Sequence, residues 1–185
     1  MKAFLLTIFL ALTLSNLKAS DIDLTGRWEL HFSSITYTIK HTLKTAQGKS
    51  ERAKGKVECA KTCNLVIGVP LRTFDSGDSN RDLHMLETTR GAAHPLVMVR
   101  ANFLPSVLLN DTFSVPLDVE FAGKKGVFRT ANFKIVKRFE IELMIQGVMM
   151  IQLSDFNIIP PAFLGMSVED AVPITIDMVW KKKMP

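Results

Sequence analysis

The chain has 185 residues, of which 47% are hydrophobic, and this suits a single domain that can fill a core or line a cavity. Its formal charge is +5. Lys2 and Lys18 lie in an N-terminal segment without acidic residues, so the rest of the chain carries 21 basic and 18 acidic residues, a charge of +3. That excess is too small to indicate a nucleic-acid-binding protein.

The N-terminus has the pattern of a secretory signal peptide. Lys2 supplies a positive start, residues 3–14 form a short apolar run, and Ala19 is a small residue at the expected cleavage point. The run is shorter than the roughly 20 residues that span a bilayer, although an uncleaved anchor is the alternative. We predict a leader of residues 1–19, a mature domain of residues 20–185, and export to the periplasm or the medium, which are oxidising.

Alternation of apolar and polar residues, typical of strands, dominates the chain from Asp21 onward. The alternation changes phase at Ser33 and Ser34, which predicts a bulge or corner there. Residues 47–55 are polar and include two glycines, so we expect a loop or a poorly paired edge. Residues 56–74 then predict a hairpin that turns at residues 60–62.

A short helix is predicted over residues 80–89, after the second hairpin. Asp75 and Asp78 lie in a turn-forming cluster that offers caps to this helix. We expect Leu83 and Leu86 to lie on one side of the helix and Gly91 to end it.

Further alternating runs follow, and they complete an all-β pattern. They cover residues 96–103, 113–121, 126–136, 139–153 and 174–180. With no alternation of strands and long helices, about eight strands and one short helix favour an antiparallel sandwich or barrel. We predict a barrel, because closing the sheet removes exposed edges.

Cys59 and Cys63, the only cysteines, flank the three-residue turn of the predicted hairpin. Facing positions across such a turn have Cα atoms about 5 Å apart, within disulfide range, so a disulfide is predicted. A copper site is the alternative, but it needs a nearby His or Met that the local sequence lacks. The histidine spacings predict no metal site, and no nucleophilic-serine or phosphate-loop motif occurs. We therefore expect no enzymatic activity.

Arg81 and Asp82 begin the predicted helix. An acidic residue in a first helical turn suits the helix dipole, and this is the simpler interpretation. An adjacent Arg and Asp beside a barrel mouth can also hold a polar head group, so both are head-group candidates. Lys181, Lys182 and Lys183 have two interpretations as well, a solvated tail or a contact with an anionic membrane surface.

Five segments resemble the YceI-like family of exported lipid-binding proteins. They are residues 33–41, 73–85, 95–99, 154–158 and 161–172. They follow the family's order, and the second is the most specific. The resemblance implies an extended, lipocalin-like antiparallel β-barrel around a long apolar tunnel. That tunnel would hold a polyisoprenoid or related lipid, often in a homodimer, without established catalytic residues.

The sequence departs from the family pattern at a few positions. Phe32 stands where many members have a His or a Pro-rich turn, Asn157 replaces the usual Gly, and Cys59 and Cys63 are additional. These departures leave the identity of the lipid open.

We interpret the chain as a non-catalytic binder, carrier or store of a long apolar lipid, polyisoprenoid or fatty-acid-like. We expect no cofactor besides that lipid and no nucleic-acid partner, and a homodimer and brief membrane contact are further expectations. The alternatives are a solid-core envelope interaction module and a cysteine-based redox or copper protein. The candidate lining residues share the phase of the apolar rows: Tyr37, Ile39, Leu65, Ile67, Val69, Leu71, Val97, Val99, Leu117, Val119, Leu143, Ile145, Met149, Ile174, Ile176 and Met178.

Overall fold

The computed structural model describes residues 23–41, 44–163 and 166–184, and the predicted leader lies outside these ranges. The strands are β1 (Gly26–Lys40), β2 (Thr45–Ser50), β3 (Lys54–Cys59), β4 (Cys63–Pro70), β5 (Leu96–Phe103), β6 (Thr112–Phe121), β7 (Lys124–Arg138), β8 (Glu142–Gln152), β9 (Ala162–Phe163), β10 (Met166–Ser167) and β11 (Ala171–Lys182). The helix α1 spans Ser79–Thr88. Within the described ranges, no helix is long and apolar enough to cross a membrane.

One antiparallel sheet closes on itself. Its strand order is β11-β8-β7-β6-β5-β4-β3-β1-β2, and β11 also pairs with β1. β2 pairs with the C-terminal part of β1 and β3 with its N-terminal part, so together they occupy one position. The predicted antiparallel barrel of about eight strands with one short helix is confirmed, and β9 and β10 form a separate small hairpin.

The bulge in β1 lies earlier than the sequence predicted. The register between β1 and β11 shifts between Leu30 and Phe32, ahead of the serine pair. Phe32 therefore points outward and is 44% exposed, whereas Ser33 points inward and is 1% exposed. The predicted position is wrong because Phe32 continues the alternation of Trp28 and Leu30 in sequence, although its side chain lies on the surface. Single apolar side chains on a protein surface are common.

The strand β2 is the predicted edge. It pairs with β1 on one side, and on the other it makes an isolated bridge from Lys49 to Asp75. β3 and β4 form the predicted hairpin, with Cys59 directly opposite Cys63. The two cysteines form a disulfide with a Cα–Cα distance of 4.0 Å. The predicted disulfide is confirmed, and both sulfurs are bonded to each other rather than available to a metal.

Replacing both cysteines by serine should lower the free energy of unfolding by about 2 kcal/mol. The disulfide closes a small loop, and this reduces the conformational entropy of the denatured chain. Urea denaturation of the wild type and the Cys59→Ser/Cys63→Ser variant measures this difference. The matched control, Lys61→Ser, changes an exposed residue of the same turn and should stay within about 0.5 kcal/mol of the wild type. Equal midpoints for all three proteins would contradict the stabilising role.

The helix α1 follows β4 and leads to β5. The Asp78 carboxylate caps it by accepting hydrogen bonds from the backbone N–H groups of Asn80 and Arg81. Leu83 and Leu86 are three positions apart in this helix and so lie on one side of it, as predicted; Leu83 is 60% exposed, whereas Leu86 is half-buried. The helix ends before Gly91 as expected: Arg90 supplies the left-handed residue, with a φ of 56°, and the Gly91 N–H donates a hydrogen bond to the Leu86 carbonyl at 2.7 Å.

The predicted strand over residues 139–153 begins later than expected. β8 starts at Glu142, and Phe139 and Ile141 lie in the turn after β7, where they are 52% and 48% exposed. Phe139 and Ile141 alternate with polar residues just as β8 does, so the sequence predicted one continuous strand. In the structure the chain reverses direction at these residues.

Candidate functional site

A cavity of about 690 Å³ lies inside the barrel. Pockets for small molecules usually measure about 300–1,000 Å³. Side chains from every barrel strand line it, because alternate residues of each strand point inward. All the lining residues predicted from the sequence, from Tyr37 to Met178, lie in this wall.

Several inward-facing side chains are only half-buried. Leu65, Val97, Val99, Ile145 and Ile174 line the cavity and are intermediate in exposure. In a barrel filled by its own side chains, such residues would bury one another, since protein interiors are close-packed. The remaining accessible surface of these side chains faces the cavity, so the middle of the barrel has an apolar wall without a solid core.

The cavity ends where β1 begins. Trp28, Leu108 and Trp180 line this end and are 2%, 6% and 4% exposed; we call them the floor. A Cβ atom on Gly55 would lie 3.0 Å from the Trp180 ring. The missing side chain at Gly55 therefore lets the indole lie across β3.

Leu108 belongs to a short 3-10 helix, Pro105–Leu109, between β5 and β6. The Arg138 guanidinium holds this segment by donating hydrogen bonds from Nη2 to the backbone carbonyls of Leu108 and Asn110, at 3.0 and 3.1 Å. Sequence reasoning did not assign the floor. Trp28 and Trp180 fit the alternation but resemble core residues, and the Leu108 segment has no strand period.

Polar residues of the wall gather at the opposite end, which we call the mouth. α1, its cap and the residue after it line the mouth together with both ends of the β1–β2 connection. These residues are His41, Lys44, Asp78, Asn80, Arg81, His84, Thr88 and Thr89. The cavity is therefore amphipathic along its length, with an apolar body and floor and a polar mouth.

Arg81 and Asp82 both hold the loop before α1. Arg81 donates from Nε to Ser76 Oγ at 2.9 Å and from Nη2 to the Ser76 carbonyl at 3.2 Å. The Asp82 carboxylate accepts a hydrogen bond from the Ser76 N–H at 3.1 Å. Arg81 also lines the cavity, whereas Asp82 does not belong to its wall. Of the two head-group candidates, the structure brings Arg81 to the cavity.

Tyr37 lines the cavity beside Phe74, with ring centroids 5.5 Å apart. A Cβ atom on the facing Gly48 of β2 would collide with the Tyr37 ring, so this glycine lets the ring lie over β2. Burial, with a smaller contribution from the negative charge of Asp82, raises the pKa of Tyr37 above its usual value. The phenol therefore stays protonated at neutral pH and presents a neutral hydroxyl.

Among residues 23–41, 44–163 and 166–184, no three His, Cys, Asp or Glu side chains are grouped so that they could hold a metal ion. Asp75, Asp78 and Asp82 each accept hydrogen bonds from backbone N–H groups around the start of α1. Their clustering in sequence thus reflects the turn and the helix cap.

Solved structures with the same fold come from several bacteria. A polyisoprenoid-binding domain from Saccharophagus degradans, implicated in plant cell wall breakdown, has a TM-score of 0.70 and 13% identity, covering 84% of this chain and 98% of its own. BcnA from Burkholderia cenocepacia has a TM-score of 0.64 and 16% identity, covering 80% and 95%. A mutant YceI protein from Campylobacter jejuni has a TM-score of 0.60 and 13% identity, covering 100% of both chains.

At these identities the structural matches establish the fold. A comparison with curated proteins gives no significant match. The YceI-like domain matches residues 28–180, a span that runs from the first floor tryptophan to the last. Since this match covers most of the sequence, the chain belongs to the YceI-like domain family.

Proposed function

We propose that this protein binds a long apolar lipid, a polyisoprenoid or a fatty-acid-like chain, inside the barrel, and transports or stores it without catalysing a reaction on it. The observation that carries the proposal is the cavity, whose apolar wall keeps accessible surface between a buried floor and a polar mouth. This arrangement suits a molecule with a long hydrocarbon tail and a small polar end.

The apolar wall can supply the binding free energy. Each methylene transferred from water to an apolar environment contributes about 0.8 kcal/mol, so a twenty-carbon chain gains roughly 16 kcal/mol before the costs of ordering and association. Arg81 and Tyr37 lie in the wall with polar atoms that can meet a head group. The polyisoprenoid-binding domain of the same fold from S. degradans supports the polyisoprenoid as one class of ligand, and no further cofactor is proposed.

The cavity argues against the solid-core interaction module. The Cys59–Cys63 disulfide likewise argues against a copper site built on free thiols.

Export is part of the proposal. The leader pattern of residues 1–19 and the disulfide both suit an oxidising envelope compartment. Intact mass measurement of the protein from its own host tests this, since cleavage after Ala19 leaves a chain that begins at Ser20.

Filling the cavity tests the binding proposal. Val99 faces the cavity from β5, and a Val99→Trp substitution should displace hydrocarbon from the middle of the barrel. The matched control is Val148→Trp on β8, at a position that is 63% exposed and is absent from the cavity wall. Native mass spectrometry of the full chain purified from its own host, followed by lipid extraction, measures the occupancy.

We expect the wild type and Val148→Trp to carry an extractable lipid, and Val99→Trp to retain less than about a tenth as much, since several methylene contacts at about 0.8 kcal/mol each are lost. Binding of geranylgeraniol to the delipidated proteins should follow the same order. A folded wild type that contains no lipid and does not bind geranylgeraniol would contradict the proposal.

The homodimer and the membrane contact stay predictions. Lys181, Lys182 and Lys183 form ion pairs with Glu142, Asp23 and Glu29, at 3.7, 2.8 and 3.7 Å, so each lysine already has an acidic partner in the same chain. Light scattering of the purified protein measures the oligomeric state. Sedimentation with anionic vesicles measures the membrane contact.

A further inference from the structure

We infer that the floor, formed by Trp28, Leu108 and Trp180, is a fixed stop that sets the longest apolar chain the cavity accepts. This inference rests on the proposed function and adds the feature that selects among lipids by length. It starts from the asymmetry of the cavity, since the polar residues lie at the mouth and the floor residues are at most 6% exposed. A lipid that keeps its polar end at the mouth must direct its tail toward the floor.

The floor is supported from behind. The Trp28 indole N–H donates a hydrogen bond to the Leu24 carbonyl at 3.2 Å, and the Leu24 side chain is itself only 5% exposed. Lys182 Nζ lies 5.9 Å from the centroid of the Trp28 ring and bonds both the carbonyl and the carboxylate of Asp23 at 2.8 Å. Trp28 therefore cannot move away from the cavity without disrupting several contacts.

Leu108 and Trp180 are restrained as well. The hydrogen bonds from Arg138 fix the backbone at Leu108. The Trp180 ring lies in the space above Gly55. Cys63, which is 0% exposed, packs in the same core cluster as all three floor residues. Because such close-packed groups yield little, the floor is a better stop than a flexible loop would be.

The depth above the floor is finite. Trp28 and Ile39 both line the cavity and are 11 positions apart on β1, roughly 36 Å at ~3.3 Å per residue. With a strand tilt of about 35–45° in closed barrels, the apolar wall extends roughly 25–30 Å along the axis. Each methylene that fits within this length should raise affinity about fourfold. A methylene beyond it meets the floor and adds nothing.

A series of straight-chain primary alcohols with 10 to 30 carbons tests the stop. Their affinities for the delipidated full chain are measured by displacement of a fluorescent apolar probe. For the wild type, affinity should rise with each added carbon up to one length and then level off or fall. Leu108→Ala should move this turning point two or three carbons longer, with about fifteenfold tighter binding of the alcohol two carbons beyond the wild-type limit. Leu108→Trp should move it to shorter chains.

Val99→Ala is the matched control in the wall. It widens the middle of the barrel, so it should change affinity at all lengths without moving the turning point. Circular dichroism confirms that each variant folds; if Leu108→Ala does not, Leu108→Val shows the same effect with a smaller shift. A turning point that stays in place in the Leu108 variants, while the wild type binds alcohols, would overturn the stop and leave lipid binding intact. A folded wild type that binds no alcohol would contradict lipid binding itself, and the stop with it.

Discussion

Replacement of Phe156 by alanine is expected to lower the free energy of unfolding by about 3–5 kcal/mol, the usual cost of deleting a fully buried aromatic ring. Phe156 is 0% exposed and lies in the connection between β8 and β9. Its ring packs against Phe121 and Phe128, with centroids 5.3 and 6.2 Å away. A Cβ atom on Gly126 would lie 3.1 Å from this ring, so the backbone of β7 packs directly against it and alanine would leave a cavity beside β7.

The Phe156 carbonyl also accepts a hydrogen bond from Arg90 Nη2 at 3.0 Å. The residue therefore ties the segment after α1 to the β8–β9 connection. Urea denaturation of the wild type and the variant measures the loss. Ile159→Ala is the matched control, because Ile159 is three positions away and 86% exposed, and it should change stability by less than about 0.5 kcal/mol. Equal losses in the two variants would show that the packing around Phe156 contributes little.

Arg138→Met is the second large effect that we expect, a loss of roughly 3 kcal/mol. The Arg138 side chain is 11% exposed, and its two hydrogen bonds to backbone carbonyls are charge-assisted, each worth about 1.5–3 kcal/mol. Methionine keeps the apolar stem but leaves the carbonyls of Leu108 and Asn110 without these donors. Arg138 Nε is buried without a hydrogen-bond partner, and such a donor costs free energy in the wild type. Since methionine removes this cost, we expect a loss near the lower end of the sum for the two hydrogen bonds.

Two measurements test this prediction. Urea denaturation gives the overall loss, and amide hydrogen exchange should show faster exchange in residues 105–111 than in the strands of the barrel. Lys137→Met is the matched control, since Lys137 is an exposed neighbour, and it should leave both measurements almost unchanged. If exchange at residues 105–111 stays at the wild-type rate in Arg138→Met, the guanidinium does not hold this segment.

The strand pattern was predictable because half-buried strands show their two faces in sequence. Leu117 and Val119 on β6, or Ile174 and Ile176 on β11, alternate with polar residues, and each of these points into the cavity. The same pattern fails where a surface residue is apolar. Because Phe32 is apolar, the bulge was predicted too late in β1. Because Ile141 is apolar, the predicted β8 included residues of a turn, since alternation alone does not show where the chain reverses.

The two ends of the cavity were harder to predict than its wall. Trp28 and Trp180 have the phase of any core residue, and only their positions at one end of the barrel make them a floor. Leu108 lies between strands, where no periodicity indicates which way a side chain points. Lys44 and His84 reach the mouth through a turn and a helix that fold over the barrel. Such positions depend on the tertiary arrangement rather than on local spacing.

The pairing of β1 with β11 means that the barrel cannot close until the C-terminal strand is available. Trp28 pairs with Lys182 and Tyr37 with Ile174, so partners are separated by most of the sequence. Contacts of such long range slow folding, because the intervening chain must be ordered first. Until the last strand has emerged, two strand edges remain without partners and can join other chains. A chain that stops before β11 should therefore aggregate rather than form a smaller barrel.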